Sequence, residues 1–230
     1  FIVNSLVPLG MIAITVFVGY QLGRIITADY YFAQSLYAAQ ANRGTDTYND
    51  QIQAMTLNPM DDNYRVSYSQ TNLALANALA SQKDLTDQQK SMVTQLVQQS
   101  IREARNAVSL APQRAADWEN LASIYQSLIN FAQGADQWTL ASLNQAISLD
   151  PSNAQLRFSL GSLYFSAKDY QTAAQAFNLA TALKPDYANA HYNLAQALKL
   201  LKLNDQAVQE LQLTSQLVCV TASADCDKVN

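Results

Sequence analysis

The sequence contains few of the residues that interrupt helices, with 6 Gly and 5 Pro among 230 residues. An all-β protein needs many turns, and Gly and Pro usually supply them. Ala, Leu and Gln, which favour or tolerate helical conformation, are abundant instead. We therefore predict an almost wholly helical chain.

Positive charge is scarce, since 14 Lys and Arg stand against 18 Asp and Glu and give a net charge of −4. No segment is rich in Lys and Arg. Proteins that bind nucleic acid concentrate such residues where they meet phosphates. Nucleic acid is therefore not an expected partner.

Residues that could carry catalytic or metal chemistry are also few. The sequence has a single histidine, His191, and two cysteines, Cys219 and Cys226. No Gly-rich phosphate loop, no nucleophile with its base and no metal-ligand spacing is present, so we predict no enzyme activity, no metal and no cofactor. The two cysteines could form a local disulfide or remain free thiols. His191 occupies the helix position that Trp118 occupies in an earlier segment, which indicates a packing role.

The N-terminal segment, from Phe1 to Gly23, contains no charged side chain. About 20 apolar residues suffice to cross a bilayer, and the basic leader typical of a signal peptide is missing. We predict a hydrophobic helix over residues 1–27, which lies either in a membrane or in the core of an assembly. Gly19 and Gly23 form a G-x-x-x-G spacing that lets two such helices associate closely.

A helix-turn-helix unit lies between Pro151 and Pro185. Apolar residues recur at helical spacing on both sides of a polar turn at 167–170. The unit resembles the tetratricopeptide repeat (TPR), whose length of about 34 residues equals the spacing of the two prolines. The TPR pattern is matched at Leu160, Gly161, Tyr164, Ala173, Phe177, Ala180 and Pro185.

Measured against this unit, the remaining chain divides into related segments. We predict a degenerate first TPR-like unit over 28–59, an expanded unit over 60–112, further units over 113–217 and a polar tail over 218–230. Gly44 is expected to end the helix before it, and a helix is predicted from Asp87 to Leu110. The predicted fold is an all-α solenoid of about four TPR-like units, preceded by the long hydrophobic helix.

The TPR resemblance implies a concave face, lined by the first helix of each unit, that binds an extended peptide or a helix. The partner would be a protein or peptide, including copies of the chain itself. The residues that this resemblance places on the face are rich in amides and hydroxyls, although a merely solvated groove remains an alternative: Glu119, Asn120, Ser123, Gln126, Gln155, Phe158, Ser159, Ser162, Asn189, Tyr192, Asn193 and Gln196.

Two further resemblances widen the choice of function. A hydrophobic span that runs into TPR units resembles the C-terminal region of bacterial multi-span O-antigen polymerase or ligase-like membrane proteins. An N-terminal Phe before a long apolar helix is similar to mature pilin-like subunits, although Asn4 and Ser5 stand where an acidic residue is usual.

Our main prediction is a non-enzymatic scaffold for protein interaction or self-assembly, anchored through the N-terminal helix. The alternatives are a subunit of a pilus-like filament and a fragment of a polysaccharide polymerase or ligase. The expected location is a membrane with the TPR region outside the cytoplasm, or a cell-surface or extracellular filament.

Overall fold

A computed structural model of the protein describes the backbone of residues 2–221 and the side chains of residues 11–218. Within that range every regular element is an α-helix, which confirms the predicted all-α class. The helices are α1 (Ile2–Gln40), α2 (Gly44–Leu57), α3 (Asp62–Ala80), α4 (Asp87–Leu110), α5 (Ala115–Ser127), α6 (Ala135–Leu149), α7 (Ala154–Ser166), α8 (Tyr170–Leu183), α9 (Ala188–Leu200) and α10 (Asn204–Thr221).

The chain forms two compact units, of which the first ends at Pro112 and the second begins at Gln113. In the first unit α1 packs on α2, α2 on α3 and α3 on α4. In the second unit α5 and α6, α7 and α8, and α9 and α10 form pairs, and consecutive pairs pack on one another. Helices α3 to α10 therefore form four helix-turn-helix pairs, and the long apolar helix comes before them as predicted.

The C-terminal part of α1 belongs to the first packed pair. Ala28, Ser35 and Ala38 are buried, and their spacing places them on one side of the helix. Ala28 packs with Ala54 of α2 and Tyr64 of α3. Helix α1 therefore has two parts. Its first part is an apolar helix, and its last part packs as a helix of the first repeat-like pair.

The corner between α1 and α2 differs from the prediction for Gly44. The residue with left-handed backbone is Asn42, at φ 55°, whereas Gly44 is the first residue of α2. Asn adopts this conformation more readily than most residues do. The prediction that Gly44 ends the preceding helix was therefore wrong.

Helices α3 and α4 correspond to the predicted expanded unit, and the sequence carries a signal at each end of α4. Thr86 and Gln89 form a reciprocal capping box at the start of α4, and Pro112 follows its end. The predicted helix from Asp87 to Leu110 is confirmed. Glu103 of α4 accepts a hydrogen bond from Arg65 of α3 at 2.6 Å, which ties the two helices together.

Close packing in the second unit depends on a glycine. Phe177 of α8 is fully buried, and its ring lies directly against Gly161 of α7. A Cβ atom at position 161 would stand 2.6 Å from the Cδ1 atom of Phe177. The two helices can approach this closely only because residue 161 has no side chain.

The predicted polar tail over 218–230 begins within the last helix of the structure. Helix α10 continues to Thr221, so residues 218–221 are helical. The rest of the tail, from residue 222 onward, lies outside the described residues.

Candidate functional site

The first helices of the second unit, α5, α7 and α9, carry the residues expected to bind a partner; we call these twelve positions the first-helix face. Ser123, Gln155, Asn189 and Tyr192 are exposed. The half-buried members are Glu119, Gln126, Phe158, Ser159, Ser162, Asn193 and Gln196. Eleven of the twelve positions thus offer some surface to a partner.

Asn120 is the exception, with an exposed fraction of 6%. It lies three residues after Asp117 and four before Ile124, both of which are buried. This spacing places Asn120 on the packed stripe of α5. The expectation that Asn120 faces outward was therefore wrong, and the side chain belongs to the interior of the unit.

An aromatic group forms part of the first-helix face. The ring of Phe158 lies 5.6 Å from that of Phe177 and 5.2 Å from that of Tyr187, centroid to centroid. The Tyr187 hydroxyl donates a hydrogen bond to the Gln155 side chain. These contacts restrict the side chains before any partner arrives, which lowers the entropy lost on binding.

The first-helix face carries one acidic residue, Glu119, and none of its twelve residues is Lys or Arg. Burial, and then the nearby Asp150 carboxylate, raise the pKa of Glu119. The Asp150 carboxylate itself accepts hydrogen bonds from Ser152 and Asn153, both at 3.1 Å. Burial and the Asp150 charge therefore disfavour the ionised form of Glu119, and a nearby positive charge or hydrogen-bond donor would favour it again.

His191 has a buried position, as the packing interpretation expected, with an exposed fraction of 7%. Its Nδ1 atom lies 2.6 Å from Oε2 of Glu210, and its Nε2 atom lies 3.0 Å from the carbonyl oxygen of Pro185. The ring therefore joins α9 to α10 and to the preceding turn. Sequence reasoning missed the Glu210 contact because the two residues are far apart in the chain.

The second candidate surface is the apolar part of α1. Ile12, Val16, Phe17 and Ile26, among others on several sides of the helix, have exposed fractions above 60%. This helix is long and apolar enough to cross a membrane over Met11–Gln40 by length and composition. A Cβ atom on Gly19 or Gly23 would meet nothing within 4 Å, so both positions are open.

The first charged residue of α1 is Arg24. One of its guanidinium nitrogens lies 3.5 Å from the carbonyl oxygen of Thr56 in α2, and the guanidinium also lies over the ring of Tyr20 at 5.9 Å. An aromatic ring and a cation at the end of an apolar stretch are typical of a membrane interface.

The first unit contains a cavity that the sequence did not predict. Its volume is about 570 Å³, and its lining comes from the start of α2, the end of α3 and the first half of α4. Leu75, Leu79 and Leu96 form apolar walls, with Gln95 and Tyr48 also lining the space.

The candidate ligands for a metal ion were searched within the described side chains. No group of three or more His, Cys, Asp or Glu side chains lies close enough there to hold a metal ion. The disulfide considered between Cys219 and Cys226 falls outside the described side chains.

Comparisons with known proteins agree with this geometry. Residues 161–202 match the family model described as TPR repeat. The MamA protein of Desulfovibrio magneticus RS-1, solved from residue 41 to its end, has a TM-score of 0.65 at 12% identity, covering 86% of this chain and 98% of that one. No curated protein sequence matches the chain.

Two other solved structures have the same architecture. TTC0263, a thermophilic TPR protein of Thermus thermophilus, has a TM-score of 0.59 at 17% identity, with 83% of this chain and 97% of that chain covered. YrrB, described as a TPR protein with an unusual peptide-binding site, has a TM-score of 0.54 at 13% identity, with 81% and 84% covered. The chain therefore carries the tetratricopeptide repeat and has the fold of tetratricopeptide repeat proteins.

Proposed function

We propose that the protein is a non-enzymatic TPR scaffold, anchored in a membrane by α1, whose second unit binds a protein or peptide. The observation that carries the anchoring is the contrast within α1. Its apolar residues are exposed over 11–26, whereas Ala28, Ser35 and Ala38 further along pack against the protein. Exposed apolar surface of this extent is stable in lipid or in a protein sheath.

The dimensions of α1 also favour a membrane. Residues 2–26 form an uninterrupted helix of about 37 Å at 1.5 Å per residue, which exceeds a hydrocarbon thickness of roughly 30 Å. Arg24 and Tyr20 then fall near one boundary of the bilayer. The TPR region would follow on that side, and we propose that this side is outside the cytoplasm.

Peptide recognition is proposed for the first-helix face, by analogy with the peptide-binding site named for YrrB. Side-chain amides and hydroxyls suit the N–H and C=O groups of an extended backbone. Phe158 and Tyr187 supply an apolar contact, and Glu119 supplies a negative charge. A peptide with a basic residue next to an apolar one fits these groups best.

Anchoring is tested with the variant Ile14→Lys/Val18→Lys in the full chain. Each Lys should oppose insertion by about 2.5–3.5 kcal/mol near the bilayer centre, so alkaline carbonate should release this variant from membranes. The matched control Leu179→Lys/Leu183→Lys alters two exposed leucines of α8 and should stay in the membrane pellet. Retention of the α1 variant would contradict the anchor.

Peptide binding is tested by selecting short peptides from a random phage-displayed library against the full chain in detergent. Ser123→Arg/Asn189→Arg should block the selected peptides, because both residues are exposed on the first-helix face. The control Asn144→Arg lies on α6 and is also exposed. Peptides that bind the blocked variant as well as the wild type would show that this face is not the site.

A filament is the second candidate function, because Gly19 and Gly23 leave open positions on α1 that a neighbouring helix could approach. Negative-stain images of the wild type should then show regular fibres that Gly23→Leu abolishes. Uniform small particles in detergent would count against this candidate.

The resemblance to polysaccharide polymerases or ligases stays a prediction. Its test is whether the gene encodes further hydrophobic spans upstream of this sequence.

A further inference from the structure

The cavity of the first unit, with a volume of about 570 Å³, is large enough for a small molecule. Small-molecule sites in proteins usually measure about 300–1,000 Å³ and have mostly apolar walls. Leu75, Leu79 and Leu96 supply such walls here. Ala78 and Met92 also line the cavity and are exposed, so it opens to solvent.

The cavity has no charged wall, because none of the described residues that line it is Asp, Glu, Lys, Arg or His. Its polar residues carry amides and hydroxyls, as Gln95, Gln99 and Tyr48 do. A charged ligand would lose its hydration there without gaining an ion pair. The lining therefore favours an uncharged ligand.

Two of the polar lining residues meet at Tyr68, a buried residue of α3. The Gln99 amide donates a hydrogen bond to the Tyr68 hydroxyl at 2.5 Å, and the ring of Tyr48 lies 5.1 Å from that of Tyr68, centroid to centroid. These contacts restrict Gln99 and Tyr48 before a ligand arrives, which lowers the entropy lost on binding.

A buried acceptor lies on the same side of α3. Asn72 is fully buried, and its Oδ1 atom has no hydrogen-bond partner among the described residues. It lies four residues after Tyr68 and three before Leu75, a spacing that places all three on one face of the helix. An unpaired acceptor in the interior costs about 1–3 kcal/mol, so a ligand that brings a hydrogen-bond donor suits this side of the cavity.

We propose that this cavity binds an uncharged small molecule that has an apolar body and one end that donates hydrogen bonds, such as a primary amide. The body packs against the leucines of α3 and α4, and the donor end lies beside Gln99 and Tyr48. The site is separate from the first-helix face and from the exposed part of α1, so its test is independent of both.

A lipid of the bilayer fits this cavity less well. Gly44 and Thr45 of the lining follow the end of α1 at Gln40. Residues 27–40 extend about 21 Å beyond the proposed membrane segment, at 1.5 Å per residue. In the proposed anchored orientation the cavity therefore lies outside the hydrocarbon, and its ligand enters from water.

The test uses the photoreactive probe 4-benzoylbenzamide, which is uncharged and has an apolar body with an amide end. The full chain in detergent is illuminated at increasing probe concentration, and mass spectrometry locates the labelled residues. We expect saturable labelling of lining residues, Met92 among them. The matched probe 4-benzoylbenzoate has nearly the same shape but is negatively charged and has no donor, and it should label them roughly tenfold less or weaker.

Three variants locate the site. Ala78→Trp fills the cavity and should lower labelling by 4-benzoylbenzamide roughly tenfold or more. The control Ala80→Trp adds the same side chain at an exposed residue of α3 outside the lining and should be labelled as the wild type is. Gln99→Leu should weaken labelling by 4-benzoylbenzamide but not by benzophenone, which lacks the amide. Circular dichroism should show wild-type helix content for all three.

Equal labelling by the amide and carboxylate probes, or labelling that Ala78→Trp leaves unchanged, would overturn the proposal. Equal loss of both 4-benzoylbenzamide and benzophenone labelling in Gln99→Leu would contradict the position of the donor end. A dimer that sedimentation shows to be lost in Ala78→Trp, with no saturable labelling of the wild type, would assign the cavity to a second copy of the chain instead.

Discussion

Replacing Gly161 by Ala should weaken the contact between α7 and α8. The added Cβ atom would lie 2.6, 2.7 and 3.0 Å from three atoms of the Phe177 ring. These separations are well below a normal carbon–carbon contact of about 3.5–4.0 Å. Because Phe177 is fully buried, its ring cannot turn into solvent to relieve this contact.

The magnitude follows from two opposing terms. Overpacking a tight core typically costs about 1–3 kcal/mol, whereas Gly to Ala within a helix stabilises by about 1 kcal/mol. We therefore expect Gly161→Ala to destabilise the pair by up to about 2 kcal/mol. Phe177→Leu in the same chain should relieve part of this loss, since contacting residues show non-additive effects.

Native-state hydrogen exchange measures this effect locally, through the opening free energy of amides in α7 and α8. Gly44→Ala is the control, because a Cβ atom there would make an ordinary contact of 3.5 Å with Leu75. That variant should leave its own helix pair as stable as before or more so. If Gly161→Ala also stabilised its pair, the close approach of Phe177 to Gly161 would be refuted.

Three further predictions concern other contacts. Lys168→Gly should raise the free energy of unfolding, measured by urea denaturation, by about 0.5 kcal/mol, because Lys168 has φ 63° and left-handed backbone is strained for residues other than Gly. An unchanged or lower free energy of unfolding would contradict this. His191→Phe should lower the opening free energy of α9 by about 1–3 kcal/mol, because Glu210 and the Pro185 carbonyl lose a partner; exchange as slow as in the wild type would rule this out. Burial raises the pKa of Glu103, but hydrogen bonds from Arg102, Asn106 and Arg65 outweigh it and hold the pKa below its usual value. The stability that Glu103 gives to α3 and α4 is therefore present above its unfolded pKa and lost as pH falls through the lower folded pKa; an acid unfolding curve that Glu103→Gln leaves unaltered would argue against it.

Much of the fold could be predicted because its signals are local. The Thr86 and Gln89 pair and the following Pro112 define the ends of α4 within a few residues of sequence. Likewise, the match from Leu160 to Pro185 depends on spacing within one helix-turn-helix. Consecutive repeats of this kind make similar contacts, so a good sequence match in one repeat predicts how the adjacent repeats pack.

Two predictions were wrong, one about which side of a helix a residue faces and one about which residue forms a turn. Both depend on the residues packed nearby in space. The TPR resemblance places Asn120 on the outward face, although the helical period puts it on the buried stripe with Ile124. At the α1–α2 corner, Gly44 was preferred for its flexibility, but Asn42 adopts the left-handed backbone.

Contacts between residues far apart in the chain could not be predicted from the sequence. Arg65 and Glu103 are 38 residues apart in the chain, and no local pattern pairs them. The cavity of the first unit is lined by residues of α2, α3 and α4 together, and no single segment of sequence indicates it.

The proposed anchor requires that the apolar part of α1 lies in lipid. Single spin labels at positions 12 to 18, in a Cys219→Ser/Cys226→Ser background reconstituted into liposomes, measure this through accessibility to oxygen and to a nickel chelate. Lipid on all sides predicts high oxygen and low nickel accessibility at every position, without a helical period. A period of about 3.6 residues in the oxygen signal, as a protein sheath would give, or high nickel accessibility throughout would contradict the claim.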